Sequence, residues 1–163
     1  MERAEAIGAA KNFRCPRYAE LPEMEIYLEQ LLGVVNGALR DILDEPMTGA
    51  MISNYIKNGA IPTPVKKRYS REHVCYAIVT GILKPVFSVQ QIAQFFAIQR
   101  ETYPLDVAYD FFCTELENAL GEAFAFTGGA LPTVETKRTE QTILVRAIVL
   151  ATANRVYAVK SYL

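Results

Sequence analysis

Between its prolines this chain repeats apolar residues at three- and four-residue steps, a spacing that commits most of it to amphipathic helices. Met24, Tyr27, Leu28, Leu31, Leu32, Val35, Leu39, Ile42 and Leu43 form the first such series. It predicts a helix that closes near Asp44-Glu45-Pro46, because proline lacks the amide donor that a helix needs. Thr48 stands where a cap would open a second helix over 49–58. Met51, Ile52, Tyr55 and Ile56 would be its buried face, with Ala50, Ser53, Asn54 and Lys57 outward and Gly59 just past its end. Ser70 marks the start of a third helix over 71–83, with Val74, Ala77, Ile78 and Ile82 inward. Ser88 opens a fourth, from 89 to about 99, that buries Ile92, Phe95 and Phe96. A longer helix is expected over 105–126 and a broadly apolar one over 139–162. The one stretch that alternates in the manner of a short strand is Val65–Tyr69.

These elements divide the chain into three. Residues 1–22 read as an arm: a loose helix or frayed segment up to Phe13, then an extended lead-in from Arg14 to Pro22. Residues 23–99 form the central domain, and 100–163 a pair of helices for packing or dimerisation. Within that pair, residues 127–137, with Gly128, Gly129 and Pro132, are the linker.

Charge is segregated. Every charged residue from Gly49 to Arg71 is a cation: Lys57, Lys66, Lys67, Arg68 and Arg71. The whole chain carries −1, so setting those five aside leaves −6 for the remainder. A balanced protein that gathers its positive charge into one helix and turn has a local anion site. Other chemistries find little support. Cys15, Cys75 and Cys113 are odd in number with no Cys-x-x-Cys, and His73 is the single histidine, so neither a disulfide framework nor a zinc site is expected, and no cofactor. Glu115, Glu117 and Glu122 share one helix, but 115 and 117 point to different sides, and no nucleophile motif or phosphate loop occurs. Catalysis is not expected. The N-terminus lacks a signal-peptide run, and the apolar segment 143–153 is cut by Arg146 and too short for a bilayer, so the expectation is a cytoplasmic protein with reduced thiols.

The run from Met51 to Phe96, with its MISNYIKNG, IP and PVKKRYSREH blocks, resembles the bacterial domain-of-unknown-function family 1836 and the MerR-like winged helix-turn-helix. Arg17–Leu28, Phe112–Leu120 and Ala153–Tyr162 resemble the family more weakly. The MerR pattern of an aromatic, three variable residues, Gly and two apolar residues is matched by Tyr55, then Gly59, Ala60 and Ile61. Its wing end is matched by Lys67, Arg68, Tyr69, Ser70 and Glu72, and its next helix start by Phe87, Ser88, Val89 and Ile92. Ser53-Asn54 stand in place of the usual Arg-Tyr pair, and Pro64-Val65-Lys66 replace a longer hairpin.

The resemblance implies a winged helix-turn-helix with a short β wing and added N- and C-terminal helices, acting on double-stranded DNA as a transcriptional regulator. Ser53 and Asn54 would read base edges in the major groove. Lys57, Lys66, Lys67, Arg68 and Arg71 would face phosphates, and Tyr69 either touches a phosphate or packs. Tyr55 is a core residue and His73 a surface or capping one. Homodimerisation through the helices over 105–126 and 139–162 would double the site. The alternative is a protein-interaction or ligand-sensing module on the same scaffold. In that reading Phe111, Phe112, Phe124 and Phe126 line a small-molecule pocket, where otherwise they are core or dimer interface. No cysteine or basic cluster names an effector.

Overall fold

The computed structural model describes residues 2–125 and 134–163. Phe126 and most of the linker expected over 127–137 lie outside them. Seven α-helices are described: α1 (Arg3–Lys11), α2 (Leu28–Leu39), α3 (Gly49–Lys57), α4 (Arg71–Leu83), α5 (Val89–Thr102), α6 (Leu105–Ala125) and α7 (Glu140–Tyr162), with a single 3₁₀ turn at Tyr18–Glu20.

The centre of the fold is α4. Every residue from His73 to Leu83 is buried, not merely the single face that the apolar spacing suggested. A helix enclosed on all sides needs neighbours on all sides. Here α2 packs along it, and α4 shares a cavity wall with α5 and α6. Gly81 marks the tightest approach: a Cβ built there would lie 2.8 Å from Leu39 Cδ1 of α2.

The predicted strand at Val65–Tyr69 is not formed, and the described residues contain no sheet. The β wing, and with it the winged-helix class, is therefore overturned, while the mostly α reading stands. In place of a strand, Val65–Arg68 makes a tight turn closed by Arg68 N–H donating to Val65 O at 2.9 Å. Lys66 and Lys67 both take positive φ, 51° and 60°. Such a turn commonly joins hairpin strands, but here only Val65 and Arg68 pair across it, since Pro64 has no amide to extend the ladder and the next residue is drawn to another segment. Tyr69 then pairs with Ile26 in an isolated antiparallel bridge, Ile26 N–H to Tyr69 O at 2.9 Å and Tyr69 N–H to Ile26 O at 2.7 Å.

That bridge also explains why α2 starts later than its apolar series. It holds residues 25–27 extended, so Met24 and Tyr27 are exposed, and Gln30 Oε1 accepts from Tyr27 N–H at 2.9 Å as the helix opens. At the other end, Ile42 and Leu43 N–H both return to Leu39 O, and α2 closes at Leu39, five residues before Asp44. Asn36 clamps the following loop, donating to Met47 O at 3.0 Å and accepting from Met47 N–H at 2.7 Å.

The arm is docked. Helix α1 packs on α6 and α7. The lead-in is bonded to α6 through Glu117, which accepts from Cys15 N–H (2.9 Å) and from both terminal nitrogens of Arg17 (2.6 and 2.8 Å). Tyr18 N–H donates to Asp110 at 2.8 Å, and Tyr109 hydroxyl to Pro16 O at 2.7 Å. Glu115, on the other side of α6, accepts from Val134 N–H at 2.8 Å. Helix α7 packs along α6 and buries Ile148, Val149, Ala153 and Val156. Its 23 residues, with a window of mean hydropathy 1.4, are long and apolar enough to cross a bilayer, contrary to the expectation from 143–153 alone.

Candidate nucleic-acid interface

Local signals build α3 and aim it. Thr48 Oγ1 accepts from Met51 N–H at 3.3 Å and satisfies one free amide of the first turn. Ile52 and Tyr55 are buried and fix the helix on the core, while Ala50, Ser53, Asn54 and Lys57 are exposed along the opposite stripe. The C-terminus is sealed by two reversed bonds, Ala60 N–H to Tyr55 O (2.9 Å) and Gly59 N–H to Ile56 O (3.0 Å). This is the Schellman arrangement, and it requires the left-handed Gly59, at φ +77°. Asn54 Oδ1 accepts from the Asn58 amide at 3.1 Å.

Past Pro62-Thr63-Pro64 comes the turn Val65–Arg68. Lys66, Lys67, Arg68 and Val65 are all exposed. Among the described residues, Lys57, Lys66, Lys67 and Arg68 have no carboxylate within 4.0 Å. Arg68 lies 6.0 Å from the centre of the Tyr27 ring.

Three neighbouring residues are turned inward. Tyr69 is 6% exposed and sets its ring edge-on to His73 at 5.5 Å. Burial pushes the phenols of Tyr55 and Tyr69 above their ordinary range, so both are neutral packing groups. Arg71 donates to Leu21 O at 3.1 Å, reaches Glu23 at 3.6 Å and lies 5.2 Å from the Tyr18 ring centre, so it ties the lead-in to the start of α4. His73 caps α4 as expected, but from a buried position: its Nδ1 accepts from Ser70 N–H at 3.0 Å and from the Ser70 hydroxyl at 2.8 Å. With Nδ1 accepting, the proton is on Nε2, which donates to Thr63 O at 3.4 Å. One imidazole therefore joins the proline turn to α4.

Ser53, Asn54, Lys57, Lys66, Lys67 and Arg68 are thus all outward and make up the candidate basic face, while Tyr69 and Arg71 are turned inward. Sequence reasoning missed Tyr27, which lies beside Arg68, and Arg100, which donates from α5 to Ala60 O at 3.2 Å just beyond α3. Neither residue is near its partner in sequence, and no local pattern announces either.

A family model described as Domain of unknown function (DUF1836) matches residues 16–112, more than half of the chain. The chain belongs to that family. The DUF1836 match takes in the lead-in, α2 to α5 and the first turns of α6, and so contains the whole basic face. No curated protein and no solved structure matches.

Proposed function

We propose that this DUF1836 protein binds double-stranded DNA as a transcriptional regulator in the cytoplasm, with α3 in the major groove and the Val65–Arg68 turn on phosphates. The observation that supports this most is the set of four exposed cations with no carboxylate within 4.0 Å, Lys57, Lys66, Lys67 and Arg68, in the same stretch of chain as the exposed Ser53 and Asn54. Every charged residue from Gly49 to Arg71 is a cation, in a chain whose net charge is −1. Cations this close in sequence and without acid partners repel one another, a cost that a polyanion removes. Ala50, Ser53 and Asn54 are small enough for α3 to approach base edges, and Asn54 can still pair with adenine, its Nδ2 donating to N7 and the second lone pair of Oδ1, beside the bond from Asn58, accepting from N6–H.

Helix α3 has nine residues and offers few base contacts, so the protein acts as a homodimer that reads two half-sites. The faces of α6 and α7 left open by their mutual packing are the proposed dimer contact. A monomer mass by light scattering at tens of micromolar refutes that part.

Anisotropy titration against fragmented bacterial genomic DNA tests the DNA reading. Four phosphates neutralised per subunit give a log–log salt slope of about −3.6. The Lys67→Glu, Arg68→Glu double variant should lose binding while keeping its helical circular dichroism. Absence of binding by folded wild-type protein at low salt refutes the proposal.

A further inference from the structure

Residues of α4, α5 and α6, the segment 134–137 and the start of α7 line a half-open cavity of about 200 Å³. Its wall holds seven aromatic rings, among them Tyr76, Phe95, Phe96 and Phe112. Phe111 and Phe112 line it, as the pocket reading of the sequence required, whereas Phe124 packs on Tyr157 at 5.3 Å between ring centres. Cys75 also lines it, and burial pushes its thiol well above the ordinary range, so that part of the wall is neutral.

The wall is nearly free of charge. Lys137 is the one ionisable cation lining it, no carboxylate lines it, and among the described residues Lys137 has no carboxylate within 4.0 Å. The nearby Glu135 is turned to the Thr142 hydroxyl. Polar atoms on the aromatic side are already matched: Tyr76 hydroxyl donates to Gln99 Oε1 at 2.9 Å, and Gln99 Nε2 to Tyr103 O at 2.9 Å. What remains is an apolar chamber with a single cation at one end. An apolar protein cavity of about 150 Å³ takes up benzene, so this one has room for one or two fused rings. Ring faces and edges on the wall favour an aromatic guest over an aliphatic one.

We propose that this cavity is a binding site for a one- or two-ring aromatic carboxylate, its rings among Tyr76, Phe95, Phe96 and Phe112 and its carboxylate on the Lys137 ammonium. The proposal stands whether or not the basic face binds DNA.

Isothermal titration of the full chain with 2-naphthoate, beside the neutral 2-naphthylmethanol, tests it. The acid should bind at one saturable site, about tenfold tighter than the alcohol, the margin of one charge-assisted contact. Lys137→Gln, at an exposed position, should remove that margin and leave the alcohol unchanged. Ala108→Phe, which fills the cavity from α6, should abolish binding of both while circular dichroism reports the fold. No saturable binding of 2-naphthoate by folded wild type overturns the proposal. So does equal affinity for acid and alcohol, a margin that survives Lys137→Gln, or binding that survives in folded Ala108→Phe.

Discussion

Replacing Lys66-Lys67 by Asn-Gly separates what the turn needs from what its charges do. Both lysines occupy left-handed backbone, at φ 51° and 60°. That conformation costs an L-residue with an ordinary side chain about 1–2 kcal/mol, whereas glycine adopts it freely and asparagine at reduced cost. The turn type itself favours Asn-Gly. Lys66→Asn with Lys67→Gly should therefore raise stability by about 1–2 kcal/mol, and for a chain of this size move the thermal midpoint up by about 2–8 °C. The same change removes two of the four unpaired cations. The salt slope should fall from about −3.6 to about −1.8. Between 50 and 200 mM salt, affinity would then drop about twelvefold instead of about 150-fold. Scanning calorimetry and anisotropy on the same samples read both effects. A lower midpoint would refute the strain argument, since the bridge and turn would then depend on the lysine side chains. A higher midpoint with an unchanged salt slope would refute the contact argument and leave the strained lysines without a role in nucleic-acid binding.

Further perturbations test the support. Glu117→Gln leaves Arg17 charged and 22% exposed, with a weakened partner for the buried Cys15 amide; a loss of about 3 kcal/mol by urea denaturation is expected, and a loss below about 1 kcal/mol would mean the pair behaves as a surface one. Gly59→Ala and Gly33→Ala should move the thermal midpoint in opposite directions. Gly59 has φ +77°, while a Cβ at Gly33 meets nothing within 4 Å inside α2, so losses and gains of about 1 kcal/mol are expected. Arg100→Leu removes the donor to Ala60 O and the cation 4.9 Å from the Tyr76 ring centre. Amide exchange at Ala60 and Ile61 should quicken about fivefold, the equivalent of about 1 kcal/mol, with helicity unchanged; unaltered exchange would show that the Schellman bonds hold the end of α3 without α5.

Much of the helix pattern was legible because its signals are local. Thr48, Gly59 and Ser70 act within four residues of themselves, so α3 and α4 fall where caps and breakers put them, and α4 has the expected bounds. Apolar spacing did less well at α2. Met24 and Tyr27 continue the periodic series, but Ile26 is held extended by a residue 43 positions away, and a backbone bridge outweighs a periodic pattern. The strand reading of Val65–Tyr69 failed for a related reason: Val65 to Arg68 are all exposed, so no side of the segment faces the core, and Tyr69 finds its backbone partner in Ile26 and not across the turn.

What the sequence determined by itself was the segregation of charge and the run of amphipathic helices, since both follow from residue types and short-range geometry. Tertiary structure alone decided which cations are available. Arg71 and Lys67 are four residues apart and alike in composition, yet one is drawn onto Leu21, Glu23 and Tyr18 and the other stands clear. It alone decided that α4 is enclosed on every side, that Glu117 clamps Cys15 and Arg17, and that aromatic residues from α4, α5 and α6 leave a chamber instead of closing it. Each of these depends on contacts between segments tens of residues apart. Such contacts form only where the packing of whole helices brings them within a few ångströms, and no spacing along the chain encodes that distance.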